Sequence, residues 1–272
     1  MSLTQAILLA AVQGLTELLP VSSSGHLFAI SWLLGWPDQG LAFDIALHLG
    51  TLGAVLIYFF RDWAQVIAQG FGLDYQPDPE LAGNPRLLWM LAAATVPVGV
   101  AGLIWKETAE TTLRTPWVVG SMLILVGLLM AHAERRGTRN KGIGEVSMLD
   151  ALMIGLAQCL AILPGTSRSG ITMTAALFRG LDRPTAARFS FLLSTPAVAA
   201  AGLKALYDGI REAGLAAILQ PELAVGIFVS GAVGWLVIAF LMRFLARHGL
   251  APFILYRIGF GILIIALAFR RS

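Results

Sequence analysis

Long apolar runs alternate with short polar breaks along this chain, and run length sorts them into two kinds of element. Six stretches, roughly 42–60, 87–105, 116–133, 187–207, 222–242 and 252–270, approach the 20 or so apolar residues that a helix needs to cross a hydrocarbon core. Four others, 3–19, 25–35, 148–163 and 170–179, are too short. The short runs fall into two pairs, and each pair meets at a break rich in Pro, Ser and Gly. The pattern predicts about six full transmembrane helices plus two re-entrant helical hairpins. Irregular backbone at membrane depth survives only where protein or a water-filled cavity satisfies its polar groups, so both breaks are expected to be buried together.

The two breaks look like each other. Residues 13–25 read QGLTELLPVSSSG and residues 158–170 read QCLAILPGTSRSG, at a constant offset of 145. The register continues, more weakly, through Gly35/Gly180, Ala42/Ala187, Leu47/Leu192 and Ala54/Ala199. Such self-similarity indicates an internal duplication. The expected organisation is one integral membrane domain over 1–272, with repeat one at about 1–133, repeat two at about 146–272 and a basic cytoplasmic linker at about 134–145. Three full spans separate the hairpins, so the hairpins should enter from opposite faces and the repeats should be inverted. Interrupted apolar segments at matching positions of two halves point to a binding site.

Composition agrees with an all-α polytopic membrane protein. The chain is 57% hydrophobic and 13% charged, with a mean hydropathy of +0.77, where a soluble domain carries about 25% charged residues. The net charge of +3 is spread between apolar runs, which suits membrane flanks and speaks against a nucleic-acid surface. Cys159 is the single cysteine, so no internal disulfide is possible. The N-terminus lacks the basic segment of a signal peptide, and insertion is expected to use the spans themselves. The longer loops are 61–86 and 134–147; the second carries Arg135, Arg136, Arg139 and Lys141, which places it in the cytoplasm by the positive-inside rule. Both termini would then face outward, a placement that Arg270 and Arg271 oppose. The seven tryptophans mostly lie near span ends, as an aromatic belt would.

Candidate chemistry gathers at the breaks. Gln13 and Glu17 share one helix face at i, i+4 spacing, and a carboxylate within an apolar helix marks a functional site by default. Pro20 ends the first half-helix, and Ser22, Ser23 or Ser24 can cap the next. A capped helix start with free N–H groups and hydroxyls, closed by Gly25, suits an anion, phosphate above all. His26 adds a group that titrates near neutral pH. In the second copy Thr166, Ser167, Arg168, Ser169 and Gly170 take these places. Glu17 and His26 align with Ile162 and Ile171, whereas Ser23 aligns with Arg168. One copy thus supplies acid–base groups and the other a fixed cation, whose planar fork suits phosphate. Glu17 paired with Arg168 for purely structural reasons is the bland alternative. Asp44 and His48 are candidates to line the same cavity; His132 and His248 read as interfacial. Arg188 and Arg257, in or near apolar spans, are candidates to pair with Asp44 or Glu17. No Walker loop, Rossmann fingerprint or Cys/His metal spacing is present.

QGLTELLPVSSSGH and LPGTSRSG resemble the two signature motifs of the undecaprenyl-diphosphate phosphatases, also called bacitracin-resistance proteins. The resemblance extends over essentially the whole chain, including FDIALHLGTLGAV, RFSFLLSTPA and LYRIGFG. It implies a bacterial inner-membrane hydrolase that converts undecaprenyl diphosphate to undecaprenyl phosphate and inorganic phosphate, recycling the lipid carrier of cell-wall synthesis. It also implies an active site open to the periplasm and dependence on a divalent cation, Mg²⁺ or Ca²⁺. The family's E/Q-x-x-x-E motif falls on Gln13 and Glu17, which makes Glu17 the indispensable carboxylate and both residues candidate metal ligands. Expected partners are the bilayer and the polyprenyl diphosphate, with a homodimer as one open oligomeric state. Three nucleophiles fit: Ser23 activated by His26, His26 itself, or water activated by Glu17. A flippase or other anion transporter built on the same inverted-repeat pocket is the competing function.

Overall fold

Two helix pairs, each interrupted midway, set the plan of the molecule. The computed structural model describes residues 2–36, 41–214 and 220–271. The first pair is α1 (Leu3–Leu18) and α2 (Ser23–Leu34); the second is α8 (Met148–Gln158), continued by a 3-10 turn over Cys159–Ile162, and α9 (Arg168–Phe178). Between them run α3 (Leu41–Tyr58), α4 (Phe60–Gly70), the short α5 (Pro79–Ala82), α6 (Leu87–Thr111) and α7 (Pro116–Arg136). Then come α10 (Arg183–Ala213), α11 (Pro221–Leu245) and α12 (Ala251–Arg271). Among the described residues every regular element is a helix.

Five helices are long and apolar enough to span a membrane: α7, α10, α11, α12 and the Leu87–Trp105 part of α6. The expected sixth run forms α3, whose Ala46–Tyr58 segment counts among the shorter apolar helices. The segment 61–86 is not the simple loop its polar residues suggest. Its first part is α4, which buries Gln65, Val66 and Gln69 while leaving Phe60 and Ile67 outward. A single inward stripe of that length is too short to register as an apolar span, yet it suffices for a packed helix.

Packing fixes the direction of each helix. Gly120 and Gly127 of α7 meet Gly261 and Ile258 of α12, so these two helices run antiparallel, in close contact. Gly50 of α3 and Gly14 of α1 both meet Ser230 on α11, and Gly234 meets Leu18 and Ala54; these three helices run parallel. Arg271, at the end of α12, donates to the Trp32 carbonyl near the end of α2 (3.0 Å). At the other end of the bundle, Asp150 at the start of α8 accepts from Lys141 (3.2 Å) and from Arg179 just past α9 (2.7 Å). The two interrupted pairs therefore open toward opposite ends, with both breaks in the middle.

The breaks have the same backbone. Ser22 (φ 75°) and Ser167 (φ 69°) both adopt the left-handed region, unusual for a residue with a Cβ. Ser22 Oγ accepts from the Gly25 N–H (3.3 Å), and Ser167 Oγ accepts from the Gly170 N–H (3.1 Å). Strain of about 1–3 kcal/mol at each serine persists only where the surroundings over-determine it.

What over-determines it is Arg257. This side chain, on α12, is fully buried and finds neither Asp44 nor Glu17. Its Nε donates to the Leu123 carbonyl (3.0 Å), Nη1 to Pro20 (3.0 Å), and Nη2 to Gly165 (3.3 Å) and Thr166 (2.8 Å). Carbonyls orphaned by both breaks thus converge on one guanidinium. Arg188 is likewise occupied elsewhere, bonding Asp62 and Asp78 at 2.6 Å each. Asp78 lies in the connection after α4. Burial pushes its carboxyl up, but the Arg188 hydrogen bond and the Glu80 N–H outweigh that and hold it below the usual carboxylate range.

Replacing Arg257 by Met should strip several buried carbonyls of donors at about 1–3 kcal/mol each, lowering the thermal midpoint in detergent sharply. Arg257→Lys should recover little, because an ammonium lacks the fork. An unchanged midpoint in Arg257→Met would contradict this assignment.

Candidate active site

Glu17 sits in the last turn of α1, where the helix runs out of backbone partners and the chain turns through Leu19 and Pro20. Its carboxylate is 7% exposed and fully engaged. Gln13 Nε2, one turn earlier on the same face, donates to Oε2 (3.1 Å). Ser23 Oγ, the first residue of α2, donates to the same oxygen at 2.5 Å. Arg168 Nη2 reaches across from the second break to Oε1. His48 Nε2 on α3 lies 3.7 Å from Oε2.

Further bonds join the breaks directly. Ser169 Oγ donates to the Glu17 carbonyl (3.3 Å) and to the Leu19 carbonyl (3.1 Å). The Gly165 N–H donates to Ser24 Oγ (3.3 Å). Ser22 pairs with Ser24 at 3.2 Å, and Ser167 with Ser169 at 3.3 Å. Ser22, of the three candidate serines, is the cap, which leaves the Ser23 and Ser24 hydroxyls for the cavity. Thr166 gives its carbonyl to Arg257, but its buried Oγ1 has no hydrogen-bond partner. Gly25 and Gly170 offer their N–H groups to the caps; a Cβ at Gly170 would lie 3.1 Å from Ser167 Oγ.

A cavity of about 180 Å³ opens beside this cluster, lined by Gln13, Ser23 and Ser24, by Asp44 and His48 from α3, and by Arg114. It can hold a head group with its waters, a water's share of liquid being about 30 Å³. Asp44 and His48 thus line it. Arg114 was not foreseen: it precedes α7 in a short connection, and only the fold brings it to this mouth.

His26 faces elsewhere. Its Nδ1 meets the Ser22 carbonyl (2.7 Å), its Nε2 meets the Tyr256 hydroxyl (2.6 Å), and its ring stacks on Phe260 at 4.4 Å. A carbonyl only accepts, so Nδ1 carries the proton and the neutral ring takes the Tyr256 O–H on Nε2. The group that touches the Ser23 hydroxyl is Glu17. His26 holds the carbonyl of the neighbouring residue and so fixes the shape of the break. Tyr256 lay unnoticed inside an apolar span.

Chemically, the cluster offers a hydroxyl nucleophile bonded to a carboxylate base. A forked cation stands opposite, and the first turns of two half-helices converge there, an arrangement that favours phosphate.

Residues 6–263 match a family model described as bacitracin resistance protein BacA. The undecaprenyl-diphosphatase of Desulforudis audaxviator (strain MP104C) is 44% identical over 271 residues, covering 98% of each chain. That of Gemmatimonas aurantiaca is 44% identical over 266 residues, again covering 98% of each. That of Pelotomaculum thermopropionicum is 44% identical over 272 residues, covering 100% of this chain and 99% of the relative.

Arg168→Leu should leave Glu17 buried without its cation and cost about 3–5 kcal/mol of stability. Adding Glu17→Leu in the same chain should restore much of that loss, because the uncompensated charge is gone. Thermal midpoints of the two single variants and the double variant in detergent provide the cycle; additive losses would mean that the two side chains do not act as a pair.

Proposed function

The chain belongs to the bacitracin resistance protein BacA family, and from that premise we propose that the two breaks form the active site at which it hydrolyses undecaprenyl diphosphate to undecaprenyl phosphate and inorganic phosphate. It is a multi-pass membrane phosphatase. The observation that carries the site assignment is the Ser23 hydroxyl bonded to Glu17 with Arg168 on the other carboxylate oxygen.

The diphosphate enters the cavity at Ser23 and Ser24. Arg168 turns free donors of its fork to the terminal phosphate, aided by the Ser167 and Ser169 hydroxyls and the half-helix N–H groups. Ser23 Oγ attacks the terminal phosphorus in line while Glu17 takes its proton. The bond to the bridging oxygen breaks, and undecaprenyl phosphate leaves. Glu17 passes that proton to the departing phosphate, takes another from the water that attacks the serine phosphate, and returns it to Ser23 Oγ as inorganic phosphate leaves. Catalysis here is mainly positioning and electrostatic stabilisation, as phosphoryl transfer requires. The Ser23 route is preferred over attack by His26 because both ring nitrogens of His26 are engaged away from the cavity.

A divalent ion fits this site only in part. Gln13 Oε1 is buried beside Glu17 without a hydrogen-bond partner, a suitable hard ligand. Among the described residues no group of three metal-ligating side chains exists, so the ion would arrive with the diphosphate, held by Gln13 and Glu17. Its contribution would be to neutralise charge on the phosphate oxygens.

The reading also includes inverted repeats, supported by the opposite openings of the two pairs and the matching strained serines. It includes a bacterial inner-membrane location with the basic 134–145 linker in the cytoplasm. The cavity mouth, at Asp44 and Arg114, then opens to the periplasm, because α3 and α7 both start at the opposite end from that linker. A homodimer belongs to the same proposal, supported by Gly99 and Gly102, which present open small-residue positions on α6; native mass reads it.

Purified protein in detergent should release inorganic phosphate from long polyprenyl diphosphates, and a chelator should lower the rate until Mg²⁺ or Ca²⁺ is restored. No release from folded protein with either ion would turn the reading to transport, which has no meaning in detergent. Ser23→Ala, Glu17→Gln and Arg168→Ala should each slow release by at least ~10²-fold, and Arg168→Lys should remain poor. Full activity in Ser23→Ala would move the attack to water.

A further inference from the structure

A second cavity, of about 680 Å³, is larger than the one at the breaks and shares no lining residue with it. It lies along one face of α11. Leu236, Phe240 and Arg243 recur there at i, i+4 and i+7, and Arg247 follows just past the helix end, with Trp235 and His248 at the edges of the stripe. The lower half of the stripe is apolar and the upper half carries two exposed guanidinium groups.

The end of the bundle at which this stripe finishes is the basic one. A Cβ at Gly249, just past the helix, would lie 2.6 Å from Glu134 Oε1 and 3.4 Å from Arg183. Five of the other cations at that end are paired, whereas Arg135 and Arg136 of the linker form no ion pair among the described residues. Arg139 and Arg183 both bond Glu134, Lys141 and Arg179 both bond Asp150, and Arg188 bonds Asp62 and Asp78. Arg243 and Arg247 likewise form no ion pair among the described residues. With a rise of 1.5 Å per residue, Leu236 lies roughly 10 Å deeper than Arg243.

We propose that this groove binds one anionic phospholipid of the adjoining leaflet. Its phosphate lies between Arg243 and Arg247, and an acyl chain runs over Phe240 and Leu236 beside Trp235. Two arginines lining one groove suit a phosphate through forked, charge-assisted bonds. A choline headgroup fits poorly, because its cation would sit among Arg243 and Arg247. The apolar floor ends where hydrocarbon gives way to headgroups, matching the axial layout of a phospholipid. Each basic group near such a surface adds modest attraction, so the two together should give a preference of about tenfold or more for an anionic headgroup.

The test uses the full chain in detergent and native mass spectrometry. Phosphatidylglycerol and phosphatidylcholine with the same acyl chains are offered in equal amounts. Wild type should retain phosphatidylglycerol about tenfold better. Arg243→Gln/Arg247→Gln should hold the two lipids within about twofold of each other, and Arg243→Lys/Arg247→Lys should keep most of the preference. Phosphate release in lipid-free detergent should be the same in all three. The single variant Arg243→Gln, intermediate in preference, guards against a misfolded double variant. Equal retention by wild type, an unchanged preference in the Gln variant, or displacement of phosphatidylglycerol by farnesyl phosphate would each overturn the assignment. So would loss of lipid binding on dimerisation, which would make the groove an interface between copies.

Discussion

One buried guanidinium makes the interior of this protein possible. Two helices stop in mid-membrane, and each stop leaves carbonyls with no helical partner. Leaving such groups unsatisfied in hydrocarbon is forbiddingly costly. Arg257 gathers the Pro20 carbonyl from the first break and the Gly165 and Thr166 carbonyls from the second, while its Nε holds α7 through Leu123. The charge of the arginine is itself made tolerable by those same dipoles. Cation and breaks are therefore mutually dependent, and the reacting groups hang from the frame they make together. Ser169, bonded to carbonyls of the first break, and Ser24, bonded to an amide of the second, add smaller cross-links around it.

The proposed chemistry draws on differences between two breaks that share one backbone. Both copies keep the capping serine with its positive φ and the glycine that feeds it a hydrogen bond. What differs is the side chain presented to the centre. The first copy brings Glu17 and Ser23; the second brings Arg168 where the first has its serine. On the proposed reading, acid–base groups and phosphate cation come from different halves of the chain, and only the convergence of the breaks assembles them.

Much of this was legible in the residues because membrane insertion reduces the choices. Run lengths gave the spans and the short pairs, and the repeated motif located the breaks and the Glu17, Ser23 and Arg168 cluster. What remained hidden were interactions that leave no periodic trace. Arg257 reads as an arginine in search of a carboxylate, yet its partners are carbonyls, which every residue carries. Tyr256 looks like another apolar-span aromatic, and its hydroxyl contact with His26 depends on how α2 meets α12. His26 sits beside the serines in sequence, but the first turn of α2 points it away from the cavity. Helix α4 escaped because an inward stripe within a polar stretch is indistinguishable from a loop until something packs on it.

The pairing of Glu17 with Arg168 across the breaks bears on what this protein refuses. A resting site whose carboxylate already neutralises its cation offers little net charge to a passing anion. On the proposed route a phosphate must share Arg168 with Glu17, which weakens its contacts with the fork from the outset. Inorganic phosphate and soluble diphosphates have only their charge to set against that cost. A diphosphate with a long prenyl tail also brings hydrocarbon that stays dissolved in the bilayer, which confines the head group near the cavity and supplies binding energy remote from the reacting atoms. Selectivity for lipid-linked diphosphates over the abundant anions of the surroundings can thus arise from a self-quenched pocket that only a membrane-held ligand occupies for long.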